Sequence, residues 1–166
     1  MSASRDERLA HAVKLREDGQ PEQARQLLLE LRVEYPSDAH VAYQTAWVHD
    51  SLGLEDEAVP HYEAAIAGDL SDAELRGALL GLGSTFRALG RDAESDRTLQ
   101  RGIERFPDYR PFRAFHALTM YNIGQPREAV RQLLKLLIET TADADIMRYH
   151  RSLDAYADDL DRSWLA

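Results

Sequence analysis

The sequence predicts an all-α fold made of four helical hairpins and a C-terminal capping helix. Three observations carry this. The string Gly19-Gln-Pro-Glu-Gln-Ala24 recurs as Gly124-Gln-Pro-Arg-Glu-Ala129, with intermediate copies at Gly53-Leu-Glu-Asp-Glu-Ala58 and Gly90-Arg-Asp-Ala-Glu-Ser95. The four glycines are therefore spaced 34, 37 and 34 residues apart, a period that marks a repeat architecture. A small residue lies seven before each glycine (Ala12, Ala46, Gly83, Ala117) and another five after it (Ala24, Ala58, Ser95, Ala129). Small groups at both places let two helices of a hairpin approach closely. Each glycine also stands between two helical patterns, where a left-handed C-cap residue ends a helix most cheaply.

The elements follow in order. Helices are expected at 5–18 and 21–34, 38–52 and 55–67, 72–89 and 92–105, and 109–123 and 126–140. Pro21 and Pro126 open the second helices of the first and last copies, where a missing N–H costs little. Leu15, Phe86 and Met120 on first helices, and Leu28, Tyr62, Leu99 and Leu133 on second helices, are the expected apolar filling. The second copy is three residues longer than the others. The extra residues are expected to lengthen the connection before Ser71-Asp-Ala-Glu74, which has the form of a capping box. Pro60 falls inside a second helix, where it removes one hydrogen bond and is expected to bend the segment. Gly77, Gly81 and Gly83 share one helix, at about 1 kcal/mol each relative to Ala. They predict either a looser repeat or the close approach of another backbone. A ninth helix is expected near 144–163, with a polar face suited to closing a stack.

These residues resemble the tetratricopeptide repeat (TPR) family, whose unit is a 34-residue helical hairpin. The resemblance covers residues 5–143, and copies three and four are similar to the bacterial group-5 branch. It implies a right-handed α-α superhelix forming one domain over 1–166, with repeats at 5–38, 39–75, 76–109 and 110–143 and a cap at 144–163. The family's frequent first-turn Trp is missing; Arg8, Ala42, Leu79 and Arg113 stand there.

Composition narrows the function. The 166 residues contain no cysteine, which removes disulfides, zinc-thiolate sites and thiol nucleophiles together. No apolar run approaches a membrane span and the N-terminus has no secretory pattern, so a cytoplasmic protein is expected. The formal net charge of -9 disfavours nucleic acid as a partner. The charge is uneven: between Arg32 and Arg76 there are ten acids and no Lys or Arg. Most of those acids fall in connections or on second helices, so they describe the back of one repeat. They leave open an acidic peptide beside Arg16, Arg87 and Arg148.

No constellation for chemistry stands out. No two of the six histidines are spaced i, i+4, so no helix offers a paired metal face. His49 reads as a hydrogen-bonded core residue. A metal site of His40, His49 and Asp50 is a remote alternative, as is a catalytic domain. Gly81-Leu-Gly83 lacks the third glycine and the preceding strand of a dinucleotide loop. No cofactor and no enzymatic activity are expected.

The resemblance implies a ligand-contacting stripe along the first helices. Its candidates are Arg16, His40, Tyr43, Trp47, Asp50, Arg87, Tyr121, Asn122 and Arg148. Tyr43 and Trp47 are large aromatics that either anchor a ligand or pack against the neighbouring repeat. The Lys and Asn that family members use to grip chaperone tails are replaced by Leu9 and Val13. The expected function is a non-enzymatic module binding a peptide segment or protein surface in the concave groove. The alternative is a homo-oligomerising scaffold, working through that groove or through the last helix, with Trp164 and Leu165 as inserts.

Overall fold

Hairpin geometry is set by the four turns. In the computed structural model, which describes residues 4–161 and 163, the turn glycines Gly19, Gly53, Gly90 and Gly124 hold φ between 70° and 80°. Each turn is closed by the same bond, from the residue after glycine back to the fifth residue before it: Gln20 N–H to Leu15 C=O, Leu54 to His49, Arg91 to Phe86 and Gln125 to Met120. This is the Schellman closure. A residue with a Cβ at any of these glycines would occupy a strained backbone region.

The helices are α1 (Arg5–Glu17), α2 (Pro21–Glu34), α3 (Ala39–Ser51), α4 (Glu55–Ala67), α5 (Asp72–Ala88), α6 (Asp92–Arg105), α7 (Pro111–Asn122), α8 (Pro126–Thr140), α9 (Ala144–Arg148) and α10 (His150–Asp158). No strand occurs among the described residues. The chain divides into two compact units, Met1–Thr98 and Leu99–Ala166, with the division inside α6. The first unit packs α1 on α2, α2 on α3, α3 on α4 and α4 on α5. Within the second, α8 packs on both α7 and α10. The predicted all-α hairpin fold is thus observed.

The small residues occupy the seams. Ala12, Ala24, Ala46, Ala58 and Ser95 are fully buried, with Ala117 and Ala129 nearly so. Two apolar clusters fill the first unit. One joins Ala12, Ala24, Leu28 and Leu31 to Val41 and Val48. The other joins Tyr43, Tyr62, Ala78, Leu82 and Phe86. Every first helix after α1 buries three residues at one register. These are Val41, Thr45 and Val48 on α3, Ala78, Leu82 and Thr85 on α5, and Phe112, His116 and Thr119 on α7, all buried. At the same register α1 carries Glu7, His11 and Lys14, all exposed, which gives the stack a polar N-terminal face.

Four expectations are corrected. The three extra residues do not lengthen a connection: residues 68–71 link α4 to α5 in the same number of steps as 35–38 link α2 to α3. They extend α5 to 17 residues, against 13 for α3. The capping box fixes its new start, with Ser71 Oγ accepting from Glu74 N–H and the Glu74 carboxylate accepting from Ser71 N–H. Ser71→Ala is expected to cost about 1 kcal/mol, read as a lower midpoint in urea with an unchanged slope.

Gly77 and Gly81 of α5 receive side chains and not a backbone. A Cβ on Gly77 would stand 2.0 Å from Tyr43 Oη, and one on Gly81 2.3 Å from Tyr62 Oη. Leu133, expected in the core, is 42% exposed, although Leu28, Tyr62 and Leu99 at its repeat position are 2% exposed or less. The expected helix over 144–163 is two helices that end at Asp158, interrupted at Tyr149 (φ -103°, ψ 10°). No Gly or Pro lies at the break. Helix α10 is tied to α8 by Lys135 with Asp154 and Asp158 and by Arg131 with Asp158, and Asp161 beyond its end pairs with Arg127.

Candidate functional site

Six of the nine candidate residues belong to the first unit, and the stripe they form begins with repeat position. Arg16, Asp50 and Arg87 each lie three residues before a turn glycine, so they recur on α1, α3 and α5. These first helices are neighbours, α1 touching α3 and α3 touching α5.

At the centre Trp47 is 42% exposed. The Arg16 guanidinium carbon lies 3.6 Å from its ring centroid, a stacked cation–π contact worth about 0.5–2 kcal/mol depending on hydration. Arg16 Nη1 donates to Gln44 Oε1 at 2.5 Å and Nη2 lies 3.7 Å from Glu17. Only 10% of the Arg16 side chain is exposed, and burial lowers its pKa against the pull of Glu17. The expectation of an open donor for a peptide carboxylate is therefore corrected at Arg16: its planar face is spent on Trp47 and one nitrogen on Gln44.

Tyr43 is the second correction. It is 7% exposed, and its ring lies 5.8 Å from Trp47 on one side and fills the space left by Gly77 on the other. It buttresses Trp47 from within the core and is not an open anchor. The two aromatics thus divide the alternatives, Tyr43 packing against the next repeat and Trp47 remaining accessible.

Asp50 also turns inward. Its carboxylate accepts from Tyr62 Oη at 2.7 Å, and the Thr85 hydroxyl lies 2.8 Å from Oδ1. That hydroxyl has one proton and sits equally close to Gly81 C=O at 2.8 Å. Burial pushes the Asp50 carboxyl above the usual range, although the two hydroxyls favour its charged form. The same burial, with Asp50 alongside, pushes the Tyr62 phenol far up. Asp50 therefore ties α3 to α4 and α5 and offers little to a ligand.

His40 is 40% exposed and its Nδ1 lies 2.7 Å from Glu74 Oε1. Burial raises the Glu74 pKa, but hydrogen bonds from Ser71 and His40 outweigh it and hold the carboxyl below the usual range. Arg87 is half-buried in the last turn of α5.

In the second unit Tyr121 is 69% exposed at the end of α7, with Asn122 exposed beside it. Arg148 is exposed at the end of α9 and pairs with Asp145 at 3.3 Å. Trp164 and Leu165 lie outside the described residues.

His40, His49 and Asp50 point to separate partners, and no metal-holding group of His, Asp or Glu occurs among the described residues. His49 is the core histidine expected: its Nδ1–H donates to Thr45 C=O at 2.7 Å while Nε2 accepts from Arg25 Nε at 3.2 Å. No helix among the described residues is long and apolar enough to cross a membrane.

What defines the class is a run of helical hairpins with glycine Schellman turns and small-residue seams. A family profile described as Tetratrico peptide repeat matches residues 39–160, and the chain belongs to that family. The chain is similar to solved structures of the same fold. One is the crystal structure of MamA protein, 15% identical, with a TM-score of 0.72 over 98% of this chain and 80% of that one. Another is YrrB, described as a TPR protein with an unusual peptide-binding site, 19% identical, with a TM-score of 0.70 over 93% and 78%. A third is PilF of Pseudomonas aeruginosa, 18% identical, with a TM-score of 0.63 over 92% and 76%. No curated protein matches the sequence. The fold is that of a protein-interaction module, a family generally without catalytic activity.

Proposed function

We propose that the chain is a non-enzymatic adaptor that receives a peptide segment or protein surface on the first-helix face of its first unit. The supporting observation is Trp47. A tryptophan left 42% exposed costs solvation, and its ring already packs against Arg16 on one face and the tilted ring of Tyr43. A pre-oriented aromatic gains binding energy with little entropy to lose. The partner presents an aliphatic or aromatic side chain to the open part of the ring. His40, half-buried on the same helix, supplies a polar contact through the ring nitrogen not paired with Glu74. The peptide-binding site described for YrrB lends the reading support by analogy of fold alone.

The test is selection of peptide ligands from a displayed random library against the full chain. Trp47→Ala is expected to weaken the selected peptides at least tenfold, while Trp164→Phe leaves affinity unchanged. With Trp164 removed, the emission of Trp47 alone reports the titration. Ligands that bind Trp47→Ala as well as the parent chain place the site elsewhere.

A further inference from the structure

Two turns before Trp47, α3 begins in a charged corner. Register brings it together. Asp6, His40 and Gly77 each lie 13 residues before a turn glycine, on α1, α3 and α5, and α3 touches both other helices. Asp6 has 84% of its side chain exposed and pairs with Arg5. Arg5 Nε also donates to Asp38, the N-cap of α3, at 2.7 Å. On the α5 side Gly77 adds no side chain, and Glu74 meets His40 instead. Glu74 stands there because α5 starts early: it lies in the added turn, where the matching position before α3 is Ser37 of the connection. The corner thus sets the carboxylates of Asp6, Asp38 and Glu74 against the single guanidinium of Arg5. It also lies in a unit, residues 1–98, that carries 19 acids and 10 bases.

The His40 ring has one nitrogen to spare. Glu74, held below the usual carboxylate range, is ionised near neutral pH, where a carboxylate only accepts. The proton of the 2.7 Å contact is therefore on His40 Nδ1. In the neutral imidazole Nε2 is then a bare acceptor. It has no hydrogen-bond partner among the described residues and is not buried. An open acceptor flanked by carboxylates favours a donor that carries positive charge. An acidic group would meet like charge, and a neutral donor would forgo the attraction. The cations that an acidic segment would need are engaged, Arg16 by Trp47 and Gln44, and Arg76 and Arg87 by partners of their own.

We propose that this corner is a subsite for a Lys or Arg side chain, and that the segment received at Trp47 is a basic one. The proposal rests on Trp47 as the anchor and adds the chemistry of the partner. His40 and Trp47 are seven residues apart on one face of α3, which sets the two subsites about 10 Å apart. An extended segment spans that distance in about three residues. The ligand therefore carries an apolar side chain on Trp47 and a cation three residues away. The ammonium or guanidinium donates to His40 Nε2 and lies beside the Asp6 and Glu74 carboxylates. The negative charge of the whole unit steers such a segment toward the face.

Peptides selected from a displayed random library against the full chain test it through their composition and their charge coupling. They are expected to be enriched in Lys and Arg three positions from an aliphatic or aromatic residue, in either order. Their affinity should fall as salt rises from about 50 to 500 mM. In the tightest of them, replacing that cation by glutamine is expected to cost about tenfold. Glu74→Gln removes the charge and keeps the capping box, where glutamine also serves. It is expected to weaken the cationic peptide about threefold and to leave its glutamine version unchanged. Asp6→Asn, at an exposed position, is expected to act in the same direction, so the result does not hang on one variant. Ligands that need Trp47 but are acidic, or that tolerate loss of the cation, overturn the subsite and leave Trp47 as the anchor. Equal effects of Glu74→Gln on both peptides do the same. Ligands indifferent to Trp47→Ala, or no ligand at all, overturn both.

Discussion

Phe112→Ala is expected to be the most damaging single change, costing about 3–5 kcal/mol, against a total of only 5–15 kcal/mol for an ordinary domain. Phe112 is fully buried, opens α7 one residue after Pro111, and lies against Phe106 (centroids 6.4 Å, stacked) and Tyr109 (5.4 Å, edge-on). Its ring also fills the notch above Gly102 of α6. Truncation leaves a ring-sized void that three rigid neighbours cannot collapse into, so the cost includes a cavity as well as lost transfer energy. The effect should be local, since repeat arrays are stabilised by neighbour contacts. Hydrogen exchange in α7 and α8 is expected to accelerate while α2, α3 and α4 keep their protection.

The same contact can be attacked from the other side. A Cβ on Gly102 would stand 2.3 Å from the Phe112 ring, and fully buried rings do not step aside. Gly102→Ala should therefore cost about 1–3 kcal/mol by overpacking, despite a helix propensity gain of nearly 1. In a Phe112→Leu background the smaller side chain leaves room for the methyl, and the penalty should shrink by at least half. Additive losses in urea melts of the two singles and the double would show that Gly102 and Phe112 do not share one space.

How far the sequence foretold this depends on whether repetition or a unique contact decides the position. Turns and seams were legible because each recurs four times: Gly19 predicts Gly53, Gly90 and Gly124, and the alanines fall where two helices must touch. The choice between groove and core stayed open for Tyr43, because its pocket is made by Gly77, 34 positions away, and Gly77 alone reads as a helix weakness. The signal was present as a pairing, two tyrosines on one hairpin against two glycines on the next helix. Arg16 over Trp47 joins different repeat positions on different helices, so no periodicity points to it. Asp50 was expected on the ligand-contacting stripe and is a half-buried acceptor because Tyr62 and Thr85 face it. At the C-terminus one helix was expected near 144–163 and two are found. No Gly or Pro marks the break at Tyr149, and the ion pairs of Lys135 with Asp154 and Asp158 join residues 19 and 23 positions apart, which no local pattern announces.

Acid sensitivity is expected to originate at His61. Its ring lies 5.2 Å from that of the buried His49, between α2, α3 and α4. Burial lowers its pKa from 6.5 to about 4, with His49 and Arg32 adding repulsion and Glu57 opposing them. In the unfolded chain the same imidazole titrates near its ordinary value. Between these values the unfolded state binds a proton that the folded state refuses, so stability rises with pH across the window. The contribution is whole above pH 6.5 and is lost as the pH falls to about 4. Screening at the half-buried ring reduces the loss to about 1–2 kcal/mol. Carboxylates held low, such as Asp38 beside Arg5 and Glu139 beside Arg113, lose their stabilisation in the same direction but only as the pH drops through the carboxylate range. Asp50, raised by burial, works in the opposite sense there, since its folded form welcomes the proton. The interval from pH 6.5 to 5 lies between the ordinary and the lowered pKa of His61 and above the ordinary carboxylate range. Urea melts across it should show the parent chain weakening steadily and His61→Gln staying nearly flat. Parallel profiles for the two proteins would assign the acid response to another group.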